Sequence, residues 1–128
     1  MVPTISIIDD DASVRTAIDN LLKSLGYAVL TFGSAEEFLQ SDCLNATACI
    51  ITDITMPGMS GIELLTLIRA GGTGVPFIFM TAIPKGEICR QILSAGGACL
   101  LAKPFEKNSL VRSLERALGQ SSDGRADE

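Results

Sequence analysis

Apolar runs of strand length recur along the chain: Ile5 to Ile8, Tyr27 to Phe32, Ala48 to Ile51, Phe77 to Met80 and Ala98 to Leu101. Between them, apolar residues fall at helical spacing instead. Val14, Ile18, Leu21, Leu22 and Leu25 mark the inner face of a first helix, and Gly26 is placed to end it. Ser34 with Glu37, and Ser60 with Glu63, have the spacing of a capping box and open two more helices. The later of these carries Ile62, Leu65 and Ile68 inward and dissolves in Gly71-Gly72-Thr73-Gly74, after which Pro76 opens the next strand. Another helix is expected from Gly86 or Glu87 to Gly96 and Gly97, since Pro84 and Gly86 disturb anything earlier. A last one spans about Glu106 to Leu118, with Leu110, Val111, Leu114 and Leu118 on one face and Lys107, Arg112, Glu115 and Arg116 outside. Strands alternating with helices predict parallel βαβ units, and so an α/β fold rather than a hairpin protein.

At 128 residues the chain fits one domain, long enough to bury roughly two thirds of its unfolded surface. The domain is expected over residues 1–118, and the polar stretch 119–128 reads as a disordered tail or the start of a linker. Lys and Arg number 10 against 15 Asp and Glu, a net charge of −5 that argues against direct nucleic-acid binding or attachment to an anionic membrane. No apolar stretch reaches the length of a membrane span, and the start Met1-Val2-Pro3-Thr4 lacks the charged and apolar regions of a signal peptide. A cytoplasmic location is therefore expected. Cys43, Cys49, Cys89 and Cys99 show no C-x-x-C spacing, and most of them read as small hydrophobes rather than metal ligands or disulfide partners. The chain has no histidine, which removes Ser-His-Asp and Cys-His catalysis. Any histidine in its chemistry has to come from a partner.

The residues that follow four of the apolar runs supply the candidate chemistry: Asp9, Asp10 and Asp11, then Asp53, Thr81, and Lys103 before Pro104. In an open parallel sheet, ligands bind outside the carboxyl ends of the strands. In a doubly wound arrangement the third strand ends beside the first, which brings Asp53 to Asp9 and Asp10. Carboxylates about 4 Å apart repel by roughly 1 kcal/mol in water and about 4 kcal/mol at an effective dielectric near 20. A divalent cation removes that cost, and hard Mg2+ suits an oxygen-rich cluster without thiolate or imidazole. Beside Mg2+, the carboxylate of Asp53 can attack a phosphoryl donor and form an acyl phosphate. Lys103 then supplies a point charge, and Thr81 a hydroxyl donor, to the phosphoryl oxygens. Each feature alone has a plainer reading. An acidic triplet can be a solvated loop that places negative charge at a helix N-terminus, and Asp11 fits that role. A lysine or threonine at a strand end is usually structural, and the stretch from Met56 to Gly61 can be an ordinary turn followed by an N-cap. Their joint occurrence at neighbouring strand ends favours phosphoryl transfer.

Taken in order, Ile7-Ile8-Asp9-Asp10-Asp11, Thr52-Asp53-Ile54-Thr55-Met56-Pro57-Gly58-Met59-Ser60-Gly61, Met80-Thr81-Ala82 and Lys103-Pro104-Phe105 resemble the receiver domain of two-component response regulators. The likeness covers nearly the whole chain. It implies a flavodoxin-like fold, a five-stranded doubly wound parallel sheet of order 2-1-3-4-5 with helices on both faces; a receiver protein is itself a standard example of that order. It also implies that Asp53 takes a phosphoryl group from a sensor histidine kinase or a histidine phosphotransfer protein. Asp10 and Asp53 would ligate Mg2+ together with the backbone carbonyl of Thr55, and Asp9 would act through water. Lys103 would pair with the phosphate, across a Lys103-Pro104 bond that is often cis in the family. Thr81 would move toward the phosphoryl group and bias the last two helices and the last strand. A receiver assists its own phosphorylation and dephosphorylation rather than turning over a separate substrate, so no enzyme activity of the usual kind is expected. Phosphorylation-dependent homodimerisation through the same switching surface follows by analogy. The stretch Met59 to Leu65 and the spacing from Thr81 to Lys103 are similar to those of FixJ-type regulators, whose receivers precede a DNA-binding domain.

The chain departs from the family pattern at Leu100, where the last strand usually holds a switching Tyr or Phe. Ile83 and Thr55 border the path of a hydrolytic water, and an apolar residue at 83 predicts a long-lived phosphoryl group. Two other classes compete. A Mg2+-dependent phosphatase of the haloacid dehalogenase type would need an acid two residues after its nucleophile, where this chain has Thr55. A pseudo-receiver would keep the acidic site as a relic and act only as a protein-binding module. Flavodoxin-like FMN binding fits poorly, because Asp9 to Asp11 stand where a phosphate needs donors.

Overall fold

In a computed structural model the chain forms a five-stranded parallel sheet whose strands, counted along the chain, are ordered 2-1-3-4-5, as the likeness to receivers implied. The structure describes residues 2–82, 86, 87, 90, 99–103 and 105–119. Of the helix expected from Gly86 or Glu87, residues 86, 87 and 90 are described; Ile83, the Lys103-Pro104 bond and residues 120–128 lie outside the described residues. The elements run β1 (Thr4–Ile8), α1 (Ala12–Ser24), β2 (Ala28–Phe32), α2 (Ala35–Ser41), a 3-10 turn (Leu44–Ala46), β3 (Cys49–Asp53), α3 (Gly61–Ala70), β4 (Phe77–Thr81), β5 (Cys99–Ala102) and, last among the described helices, α4 (Lys107–Ala117).

The strand side chains divide between two cores. Ile5, Ile7, Ile51, Ile78 and Met80 meet Ile18 and Leu22 of α1 and Leu110 and Leu114 of α4. Ile8, Ile50, Phe77 and Phe79 meet Ala35 and Phe38 of α2 and Leu64, Leu65 and Ile68 of α3. Alternation along each strand sends neighbouring side chains to opposite faces, so helices must cover both, and strands buried on both sides read as continuous apolar runs. Burying these side chains, at roughly 1.5–3 kcal/mol each, is the main favourable contribution to folding.

Several boundaries differ from the reading of the sequence. β3 begins at Cys49 rather than Ala48 and continues past the apolar run through buried Thr52 to Asp53, which stands at the strand's end as expected. The apolar run is shorter than the strand because the strand's last two residues are polar. β2 starts at Ala28, since the N–H of Tyr27 is bonded back to the Leu22 carbonyl at the end of α1. Leu25 caps α1 and is 47 % exposed, while Gly26, at φ +95°, turns the chain away. In α3, Leu64 takes the fully buried position and Ile62 is only partly covered. The capping box closes completely at Ser60 and Glu63. At α2 it closes by half: Ser34 accepts from the Glu37 N–H, but Glu37 accepts from the N–H of Gly33 instead of Ser34.

Candidate functional site

The parallel register sets the carboxyl ends of the strands side by side. Ile8 pairs with Thr52, so Asp9 and Asp53 emerge level on adjacent strands, and Asp53 pairs with Met80 one residue before Thr81. Asp9 is fully buried, and its N–H donates to the Phe32 carbonyl at the end of β2 at 3.1 Å. One of its carboxylate oxygens accepts from the Asp11 N–H at 2.9 Å and the other from Lys103 Nζ at 3.1 Å. Arg15, on α1, donates to the Asp9 carbonyl. The same Lys103 Nζ donates to Asp53 Oδ2 at 3.3 Å. Lys103 is aimed by its own backbone, whose N–H donates to the Thr81 carbonyl at 2.7 Å and ties the ends of β4 and β5 together. Thr81 is buried in that seam, while Asp10 and Thr55 face solvent.

Oxygens of Asp9, Asp10 and Asp53 all lie within 4.8 Å of one another. Lys103 pairs with two of these three carboxylates, Asp9 and Asp53. Burial raises the Asp53 pKa above its ordinary value; the charge of Lys103 opposes the rise and that of Asp9 adds to it. The backbone N–H of Thr55 also favours the charged form of Asp53. Burial pulls the Lys103 pKa down, but hydrogen bonds and charge from Asp9 and Asp53 outweigh it and the net shift is upward. Asp11 stands apart. It caps α1, accepting from the Ser13 N–H and hydroxyl at 2.9 and 2.6 Å, and those bonds hold its pKa below the usual range.

The turn leading from Asp53 to α3 is packed closely against the strand end. A Cβ at Gly61 would fall 2.5 Å from the Asp53 carbonyl oxygen, so glycine is required where the helix meets β3. Gly58, at φ +79°, lies under the carboxylate of Glu36, which accepts from the Met59 N–H at 2.9 Å. The sequence reading placed Lys103 against a phosphate and did not foresee that it already bridges Asp9 and Asp53. It also missed Glu36. Strand-end placement brings Lys103 near the cluster but does not say where its ammonium comes to rest, and an exposed helical glutamate 23 residues from its partner gives no signal. Beside Lys103, an open, mainly apolar groove of about 920 Å3 runs between α1 and α4, lined by Val14, Leu21 and Phe105 among others.

A family model, the response regulator receiver domain, matches residues 5–115. The chain belongs to that family. It is 35 % identical over 119 residues to the transcriptional regulatory protein FixJ of Azorhizobium caulinodans, a match that covers 93 % of this chain and 56 % of that protein. The receiver thus spans about half the length of the curated relatives it matches first. Among solved structures, the chemotaxis protein CheY4 of Vibrio cholerae superposes with a TM-score of 0.86 at 27 % identity, covering 92 % of this chain and all of that one. The crystal structure of FixJ-N superposes at 0.82 with 31 % identity, covering 92 % and 94 %. Both the receiver assignment and its FixJ-type affinity agree with these relatives, as does the strand order. No described helix of this receiver is long and apolar enough to cross a membrane.

Proposed function

We propose that this receiver is phosphorylated on Asp53 by a phosphohistidine of a sensor histidine kinase or histidine phosphotransfer protein, and that the modified domain controls an output. The observation that carries this reading is Lys103 Nζ bonded to Asp9 at 3.1 Å and to Asp53 at 3.3 Å, at the rim of a three-carboxylate cluster. An oxygen of Asp53 attacks phosphorus in line with the donor nitrogen. The P–N bond breaks, and the imidazole keeps its electron pair and takes up a proton. Lys103 pairs with the phosphoryl oxygens as charge builds on them, and the Thr81 hydroxyl donates to another.

The donor set fits Mg2+: three carboxylates and the carbonyl of exposed Thr55, all hard oxygens. Asp10, Asp53 and the Thr55 carbonyl would hold the ion, and Asp9, whose oxygens already accept from Lys103 and the Asp11 N–H, would act through water. When bound, Mg2+ offsets negative charge on the transferring group. Receivers of this kind are consumed and regenerated as substrates, so the domain is a phosphoacceptor rather than a turnover enzyme. The groove between α1 and α4, opening beside Lys103, suits the approach of a helical donor protein. The relatives named as transcriptional regulators support a transcriptional output; dimerisation of the phosphorylated receiver and a cytoplasmic location belong to the reading by analogy. The net charge of −5 argues against direct DNA binding by this domain.

The test is incubation of wild type and Asp53→Asn with acetyl phosphate and Mg2+, followed by intact mass. Wild type should gain one phosphoryl group and the variant none. An unmodified wild type would turn the assignment to a pseudo-receiver that only binds partners.

A further inference from the structure

Resting on the phosphoacceptor reading, we propose that Glu36 of α2 is a positioning residue for the loop that carries Thr55 to Asp53. The loop leaves β3 at Ile54, whose N–H donates to the Met80 carbonyl, and ends at Gly61, whose N–H returns to the Ile54 carbonyl at 2.8 Å. Those bonds fix its two feet. Between them Thr55, Pro57 and Gly58 are exposed while the Met56 side chain is anchored in the core, so the exposed backbone after Pro57 is the part that a further tie would hold. Glu36 supplies it across elements: its Oε2 accepts from the Met59 N–H at 2.9 Å.

The fit is specific on both sides. Glu36 stands in the first turn of α2, between the capping Ser34 and the buried Ala35 and Phe38, so its backbone is fixed by the core. Opposite it, Gly58 adopts φ +79°, and an added Cβ would come within 2.6 Å of Glu36 Oε2. A bare Cα at this point lets the carboxylate sit on the turn. The loop thus held presents the Thr55 N–H to the Asp53 carboxylate. Glu36 touches neither Asp53 nor any group transferred to it. It acts through the turn, fixing where the Thr55 N–H and carbonyl stand.

The experiment compares wild type, Glu36→Ala, Glu36→Gln and Gly58→Ala as the full 128-residue chain. It follows Asp53 phosphorylation by acetyl phosphate with Mg2+, urea unfolding, and amide exchange at Thr55 and Met59. Glu36→Ala should slow phosphorylation about tenfold, the factor carried by one lost charge-assisted hydrogen bond, and should expose both amides to exchange. Glu36→Gln keeps an acceptor oxygen and should restore most of the rate, while Gly58→Ala should repeat the alanine defect by displacing the carboxylate. The urea midpoint of Glu36→Gln should match wild type. Equal rates in wild type and Glu36→Ala, or a Gln variant as slow as Ala, would overturn the proposal. A wild type that takes no phosphate would sink the phosphoacceptor reading instead; the clamp is then judged on exchange, and unchanged Thr55 and Met59 protection in Glu36→Ala would end it.

Discussion

At the scale of single residues the site is a conflict among three carboxylates that one lysine partly resolves. Because burial and the neighbouring Asp9 raise the Asp53 pKa, the folded protein holds the Asp53 proton more tightly than the unfolded chain does. The stability this contributes is complete below the ordinary value of 3.8 and is lost as pH rises through the raised one, so at neutral pH the ionised side chain is a cost. Asp53→Asn should therefore stabilise the metal-free protein at pH 7, by about 1 kcal/mol or roughly 3–6 °C, and thermal melts in chelator would show it. Below pH 3.8 the advantage should vanish. Lys103 runs the other way. Its raised pKa contributes stability that is complete below 10.5 and is lost as pH climbs through the higher folded value. Lys103→Ala leaves the fully buried Asp9 carboxylate without its cation. Urea titration should register a loss of about 3 kcal/mol for that variant, and its alkaline unfolding limb should flatten. If the loss is absent, the ion pair seen at 3.1 Å is not formed in solution.

Elements decide where those residues stand, and here glycine matters most at position 61. The first residue of α3 packs on the end of β3 so closely that a methyl group would meet the Asp53 carbonyl at 2.5 Å, a contact that backbone cannot yield cheaply. Gly61→Ala is expected to cost about 2 kcal/mol and to lower the phosphorylation rate with it, because the strand end must shift; calorimetry and the acetyl phosphate assay would report both. Ser60→Ala, losing the cap alone, should cost about 1 kcal/mol and leave the rate near wild type. Element type was legible wherever pattern and period agreed, as along Ile5 to Ile8 and Phe77 to Met80, since strands buried on both faces admit few polar residues. The apolar run stops short of the end of β3 for the same physical reason, because Thr52 and Asp53 are polar residues that the strand buries. Ile62 and Leu64 exchanged roles because helix periodicity fixes a stripe but not its rotation against the sheet. The carboxylate cluster itself could be read from strand ends alone. The Lys103 bridge and the Glu36 clamp could not, since each depends on where a long side chain comes to rest in three dimensions.

Over the whole molecule, folding gathers the ends of β1, β3 and β5 into one charged rim, within a chain whose net charge is already −5. The unfolded chain scatters Asp9, Asp10 and Asp53 over 45 positions and has no comparable site. A cation held by the native cluster alone should raise stability by about 1.4 kcal/mol at ten times its dissociation constant and about 2.7 kcal/mol at a hundred times. Melting temperature should thus climb with the logarithm of Mg2+ concentration once the site begins to fill. In Asp53→Asn one carboxylate is neutral and the climb should be much smaller, so the variant, more stable without metal, is overtaken by wild type as Mg2+ rises. Sodium chloride at matched ionic strength separates binding from screening. Screening acts over about 8 Å at physiological salt and barely distinguishes one divalent ion from the equivalent monovalent charge at exposed sites. Were sodium chloride to reproduce the Mg2+ curve, or the two proteins to keep parallel curves, the cluster would be a diffuse acidic patch and the proposed metal ligation would fail. Crossing curves would tie the ion to Asp53, the carboxylate proposed to take the phosphoryl group.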